Sequence, residues 1–363
     1  MELLSKYVEF KNGKKRPNNK GSIPVYGGNG ILDYTDVSNM KSGVVIGRVG
    51  AYCGSVFLVN DECWVSDNVI KATCRDNMDL KYLYYLLSSL HLNERRIGTS
   101  QPLLTQSILN NIEVNIPVLH VQKKISSILE TLDRKIKINK EINNNLEQQA
   151  ETIFHSLFVE KANPTWKEGV LSDLGTIVAG GTPSKSKSEY YSEHGIAWIT
   201  PRDLSLNKSK FISRGELDIS ELGFSKSSAK KMPRGTVLFS SRAPIGYIAI
   251  AANEVTTNQG FKSVIPNKNI GTSFIYFLLK NLLPTIEKMA SGSTFKEISG
   301  AGMKNVPIVI PDDMIIQKFN DFCKPIFQQQ EMLEAESARL ADIRDTLLPK
   351  LMSGESDVSS IDI

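Results

Sequence analysis

The 363 residues, 41% hydrophobic and 23% charged, exceed the roughly 100 to 200 residues of a common domain, which excludes one compact core and favours two globular parts with additional helices. No apolar run approaches the roughly 18 residues of a membrane span, and the opening Met1 to Lys15 lacks an apolar stretch followed by a small-residue cleavage site, so a cytoplasmic protein with no membrane association is expected. The net charge of +4 is unevenly spread, +2 over 1–119, +1 over 120–163, +7 over 164–311 and −6 over 312–363, as expected if the globular parts face a polyanion and an acidic helical tail faces solvent or protein.

Along the chain, residues 1–118 form a first β-rich unit with candidate strands Val44–Ile46 and Val56–Val59, apolar segments broken by Gly, Asn and Pro. Beyond Pro117 glycine disappears and a helical pattern runs over 119–160. Its apolar seam steps by four and three residues through Ile125, Leu129, Leu132, Ile136, Asn139, Asn143, Leu146, Ala150, Ile153 and Leu157. Residues 161–311 form a second unit with candidate strands Val237–Phe239 and Tyr247–Ala251. A second helix over 312–353 carries the matching seam Ile315, Phe319, Phe322, Ile326, Gln329, Leu333, Glu336, Leu340, Ile343 and Leu347. Both seams turn polar midway, where Asn or Gln sets register at some cost in stability. Pro325 predicts a kink or a weak early turn, and 354–363 reads as a disordered tail.

The two halves repeat in order about 192 positions apart. Gly43-Val-Val-Ile-Gly-Arg48 with Gly54 returns as Gly235-Thr-Val-Leu-Phe-Ser-Ser-Arg242 with Gly246. Ser66-Asp67-Asn68 with Lys71 returns as Thr257-Asn258-Gln259 with Lys262, and Leu83–Leu87 returns as Ile275–Leu279. Gly98–Gln101 parallels Gly292–Phe295, and Ile112–Pro117 parallels Val306–Pro311. A helix of roughly 35 to 40 residues carries the chain some 50 to 60 Å. Two equivalent units related by a pseudo-two-fold axis would then pair their helices antiparallel, the alternative being heads on independent stalks.

These features resemble the specificity subunits of type I restriction-modification systems over nearly the whole chain. The carrying segments are Trp166, Leu171-Ser-Asp-Leu-Gly175, Gly180-Gly-Thr-Pro-Ser184, Trp198-Ile-Thr-Pro-Arg-Asp203 and Gly235–Gly246, which look like a target recognition domain, and the helix endings Ala150–Phe158 and Leu347–Gly354. The first head begins at Leu4-Ser-Lys-Tyr7 without a counterpart of Trp166, and its Ile23-Pro-Val-Tyr-Gly-Gly-Asn-Gly30 is similar to another subtype of recognition domain. The resemblance implies an α+β protein whose two β-rich recognition domains are joined by two long antiparallel helices in a pseudo-two-fold tandem repeat. It implies a non-catalytic chain that binds an asymmetric, bipartite target in double-stranded DNA. It also implies recruitment of two methyltransferase subunits and, through them, restriction subunits, with S-adenosylmethionine, ATP and Mg belonging to those partners and no cofactor in this chain.

Major-groove reading needs donors and acceptors aimed at base edges, and phosphate neutralisation needs cations on loops. Lys14, Lys15, Arg16 and Lys20 supply charge in the first head, as do Lys185, Lys187, Arg202, Lys208 and Lys210 in the second. Arg48 and Arg242 each follow a Val/Ile-rich strand and precede a glycine. Polar groups at matched places are Asn68 with Asn258 and Gln259, and Gln101 with Lys296, flanked by Thr99, Ser100, Ser293 and Thr294, with Thr182 in the Gly-Gly-Thr turn. Turn chemistry alone also accounts for such Ser, Thr and Asn residues.

Cys53, Cys63, Cys74 and Cys323 show no Cys-x-x-Cys pairing, and the four histidines do not cluster with them, so reduced thiols and no metal are expected. Asn163-Pro-Thr-Trp166 is superficially similar to a methyltransferase element but lies at a helix-head junction, and Gly300-Ala-Gly302 lacks the frame of a nucleotide loop. Asp312-Asp313 suit a helix start better than a nuclease pair. The competing readings are a fused methyltransferase or endonuclease with its own recognition domains, and a coiled-coil adaptor without sequence preference.

Overall fold

The computed structural model describes residues 1–98, 102–292 and 296–358. These form two compact units, one of residues 1–137 with 338 onward and the other of residues 138–337. No helix among the described residues is long and apolar enough to cross a membrane.

The first unit contains an antiparallel sheet ordered Val8–Asn12, Val69–Cys74, Gly43–Gly47, Val56–Val59, and a smaller sheet ordered Gly30–Thr35, Ile23–Gly27, Trp64–Val65. Gly43–Gly47 is buried at every residue, which is why it reads as a continuous apolar run rather than an alternation. Helix Leu80–Ser89 starts on an Asp79 cap whose carboxylate accepts the Tyr82 N–H at 2.8 Å, and it buries Tyr82, Leu83 and Leu87 in the core. The opening strand is present but short. Glu2 and Leu3 pair with Val114 and Glu113, where the second unit pairs four residues, Lys167–Val170 against Pro307–Ile310.

The second unit carries a five-stranded sheet ordered Gly175–Ala179, Lys262–Pro266, Val237–Ser241, Ile245–Ala251, Phe211–Ile212. All four candidate strands therefore lie within strands. Helix Thr272–Met289 covers this sheet through Phe274 and Phe277, which each meet Phe154 of the first long helix with ring centroids 5.9 Å apart, and Phe277 also meets Phe319 of the second at 5.9 Å, Phe154 and Phe319 themselves lying 5.6 Å apart. Such aromatic packing welds head to helices by area and by ring geometry. Trp166 is buried and donates its indole N–H to Asp312 at 3.2 Å, while the Asp312 carbonyl accepts the N–H groups of Ile315 and Ile316. The acidic pair thus starts the helix.

The long helices span Leu119–His155, followed by a wider helical turn over Ser156–Glu160, and Asp313–Ser353. In the second unit Asn139 donates to Glu336 at 2.7 Å and Gln330 donates to the Asn143 carbonyl at 3.1 Å. Rising numbers meet falling ones, so the segments pair antiparallel and the stalks are not independent. In the first unit Ile125 and Leu129 share a core with Leu347 and Leu351, and Asp133 accepts from Arg344 at 2.7 Å.

The expected seam needs correction at five positions. Ile136, Leu129, Ile326 and Leu333 are buried, and Leu132, Leu146 and Leu340 partly so. Ile153, Phe322, Gln329 and Ile343 are exposed, and Ile315 is only half-buried. Phe154, Cys323, Gln330 and Ile316 are the buried neighbours, with Arg344 partly covered. The cause is that these helices bury a face against the head as well as against each other, which widens and rotates the stripe away from a strict coiled-coil seam. Pro325 does not interrupt the second helix, because its missing N–H falls on the exposed side. The expected disordered tail is also corrected in part, since Val358 is buried in the first unit's core.

Candidate nucleic-acid interface

In the second head a cleft of about 890 Å³ is lined by Thr182, Lys185, Arg202, Arg242, Asn258 and Gln259, six residues that the sequence singles out from four separate segments. Local structure explains their convergence. A capping box, in which Thr200 and Asp203 exchange side-chain and backbone hydrogen bonds, starts helix Pro201–Leu206 and sets Arg202 on its first turn. Trp198 donates to the Gly181 carbonyl at 3.0 Å, which ties the Gly-Gly-Thr turn to that segment. Added carbon at Gly180 would meet the Asn258 carbonyl oxygen at 2.0 Å, so only glycine permits this approach. Thr182 donates to the Gln259 side chain, and Asn258 closes a turn by accepting the Gly260 N–H at 2.8 Å. Tyr191 in the wall has its phenol pushed up by burial and donates to the Pro183 carbonyl at 2.8 Å.

The cleft's charges are partly paired. Arg202 lies 3.7 Å from Glu216, an exposed pair of small energetic weight, and Arg242 lies 3.3 Å from Glu297. Lys185, Lys187, Lys208 and Lys296 are exposed, with Lys187 near Glu189 and Lys208 over the Tyr247 ring at 4.9 Å. Lys210 must be withdrawn from the surface set, because it is buried against Glu147, donates to Gln330 at 2.7 Å and lies 3.9 Å from the Phe327 ring centre. It fastens the head to the helices.

In the first head Lys14, Lys15, Arg16, Lys20 and Asn68 are exposed and Arg48 is half-exposed. Arg16 pairs with Asp33. Arg48 donates its backbone N–H to the Asn68 carbonyl at 3.0 Å and its guanidinium to the Asp67 backbone carbonyl at 3.4 Å, so strand end and turn are brought together as the repeat suggests. The two arginines are not equivalent, however. Arg48 bonds Asn68 and Leu104 through its backbone as Ser241 bonds Gly260 and Ile298; Arg242 stands one place further on, matching Val49 in its bridge to the following loop. Because side chains alternate along a strand, a one-residue offset turns them to different sides.

Both heads close a loop beside this strand in the same way, Ile97 with Leu103 and Ser291 with Glu297, each pair exchanging two backbone hydrogen bonds. Thr99, Ser100 and Gln101, and Ser293 and Thr294, lie on these loops outside the described residues. Glu297 escaped sequence reasoning, and the nearly buried Lys262, which pairs with it, is marked by the sequence only as the repeat counterpart of Lys71. Glu297 carried no repeat signal because its counterpart is the apolar Leu103. Among the described residues no group of three His, Cys, Asp or Glu side chains could hold a metal ion.

Two β-rich heads, each presenting an arginine-bearing strand end beside a closed loop, define a duplicated recognition protein. The family description "Type I restriction modification DNA specificity domain" matches the chain twice, over residues 7–148 and 163–340, and the chain belongs to that family. It is similar to the type I restriction enzyme MjaIX specificity subunit of Methanocaldococcus jannaschii, 37% identical over 193 residues covering 51% of this chain and 44% of that one, so it spans under half of that relative's length. It is 27% identical over 337 residues to the HindI specificity subunit of Haemophilus influenzae, with 72% of each chain covered. The fold resembles that of the type I restriction-modification S subunit from M. genitalium, with a TM-score of 0.65, 21% identity and coverage of 99% and 96%.

Proposed function

We propose that this specificity protein reads an asymmetric, bipartite target in double-stranded DNA, one half-site per head, and that the long helices set the unread gap between them. Heads addressing one face of B-DNA would meet half-sites about one helical turn apart. The observation that carries this reading is the convergence of Thr182, Lys185, Arg202, Arg242, Asn258 and Gln259 on one cleft, which combines phosphate-neutralising cations with side chains able to make paired hydrogen bonds to bases. The chain would work in the cytoplasm and recruit two methyltransferase subunits, and through them restriction subunits. S-adenosylmethionine, ATP and Mg would enter with those partners. The names of the relatives, all type I specificity subunits, support this reading.

The test is methylation mapping of DNA from cells expressing the chain with its methyltransferase partner. A split, asymmetric modified motif is expected. A continuous motif, or methylation by the purified chain alone, would overturn the proposal in favour of a fused enzyme, and equal affinity for all duplexes at fixed salt would favour a non-reading adaptor.

A further inference from the structure

We propose that Glu297 is a specificity-determining residue of the second head, where its carboxylate aims the Arg242 guanidinium at a guanine in the major groove. The assignment rests on the DNA-reading role proposed above.

Each carboxylate oxygen of Glu297 holds one cation, Oε2 meeting Arg242 Nη1 at 3.3 Å and Oε1 meeting Lys262 Nζ at 3.4 Å. Lys262 has only a tenth of its side chain exposed. Its ammonium also donates to the Ser241 hydroxyl and the Gln259 carbonyl, both at 3.3 Å, so its three protons all have acceptors. Lys262 therefore has no donor left for DNA, and its role is to hold the carboxylate.

The backbone on both sides is equally fixed. Glu297 exchanges hydrogen bonds with Ser291 at 2.9 and 3.1 Å, and Ile298 donates to the Ser241 carbonyl at 3.1 Å. After Arg242, Ala243 sits at φ +51°, a left-handed conformation that a non-glycine residue holds only where its surroundings impose it. The Ser240 hydroxyl supplies part of that restraint, accepting from the Tyr247 N–H at 2.7 Å and donating to the Pro244 carbonyl at 2.8 Å.

Arg242 thus spends one edge of its guanidinium on a fixed carboxylate, and about a third of the side chain remains exposed to the cleft beside Asn258 and Gln259. A free surface arginine settles on phosphate, which carries no sequence information. One held in a single direction presents two parallel N–H groups that match the O6 and N7 acceptors of guanine. The carboxylate also repels phosphate, so it subtracts from non-specific affinity while it adds discrimination.

The experiment uses the complete complex of this chain with its methyltransferase partner, carrying Glu297→Gln or Arg242→Ala. The readouts are methylated-site mapping and competition binding with duplexes substituted at each guanine of the second half-site, at one salt concentration. Glu297→Gln should keep the split motif and the first half-site, lose about tenfold or more of the discrimination at a single guanine, and bind unrelated duplexes more tightly. Arg242→Ala should lose the same guanine. Lys262→Gln, which releases the same carboxylate, should relax that position too and guards against a local folding fault in one variant. Wild-type discrimination at every position in Glu297→Gln, or equal weakening for all duplexes, overturns the assignment. A wild-type complex without a split motif overturns the recognition role itself, an outcome visible before any variant is made.

Discussion

The ammonium group of Lys210 lies against the carboxylate of Glu147 in the interior of the second unit, with Phe327 3.9 Å away on one side and Tyr276 4.5 Å away on another. Lys210 leads into the edge strand of the head and Glu147 belongs to the first long helix, so one buried ion pair joins the head to the helix. Glu334 of the second helix completes the joint by accepting the backbone N–H groups of Lys210 and Phe211 at 2.8 and 3.0 Å.

Breaking one side of a buried pair leaves the other charge uncompensated, at a cost of about 3 to 5 kcal/mol. Lys210→Met should lower the stability of the second unit by about 3 kcal/mol, at the small end because Lys280 still meets Glu147 at 2.9 Å. Urea unfolding followed by near-ultraviolet circular dichroism measures this. An unchanged midpoint would show that the pair adds nothing to the joint.

Acid should undo the same joint. Burial pushes the Glu147 carboxyl up, but the ammonium groups of Lys210 and Lys280 more than offset it, leaving the group below its ordinary value. Its stabilisation is therefore complete above the unfolded value of about 4.3 and is lost as pH falls through the lower folded value. Glu334 is pushed up by burial, so its protonation comes first and relieves a penalty. The stability gap between wild type and Glu147→Gln should narrow below pH 4, measured as urea midpoint against pH; a constant gap would refute the ionised pair.

Gly54 and Gly246 occupy matched places with φ of +91° and +97°, and alanine at either suffers a strained backbone costing about 1 to 2 kcal/mol. The spaces differ. A carbon at Gly54 would lie 2.4 Å from the Asn93 backbone nitrogen, whereas at Gly246 it meets the end of the Leu283 side chain at 2.6 Å. Gly54→Ala should therefore destabilise its unit distinctly more than Gly246→Ala, as thermal unfolding of each variant would show. Equal losses would mean that Asn93 yields as readily as a leucine methyl group.

Lys185 and Asn258 line the same cleft but should fail differently. Lys185→Ala should weaken binding to all duplexes alike and reduce the slope of log affinity against log salt by about 1. Asn258→Ala should change discrimination at one position with little effect on that slope. Binding measured across several salt concentrations separates them, and a base-specific loss in Lys185→Ala would reverse the assignment.

Much of this was legible in the sequence because duplication reports the same constraint twice. The paired strands around Val44 and Val237, the shared Gly54 and Gly246, and the long helices all follow from repeat and period. Lys210 was not legible, since a lysine between serine and phenylalanine looks solvated until tertiary packing brings Glu147 to it. The shift from Phe322 to Cys323 on the second helix arises from the head pressing on one flank, which heptad spacing alone does not contain. Arg48 and Arg242 read as counterparts because each follows a Val/Ile-rich strand and precedes a glycine, whereas the hydrogen-bond register sets Arg242 one place further on.

The division of the chain has a consequence for its synthesis. Residues 138–337 form one unit from a continuous stretch, while the other needs residues 1–137 and those from 338 onward. The amino-terminal head must therefore wait for about 200 residues of further translation, on the order of 10 to 40 s, before Leu347 and Leu351 arrive to cover Ile125 and Leu129. The half made second can finish folding first, and the half made first spends that interval with an uncovered helix face in need of shelter.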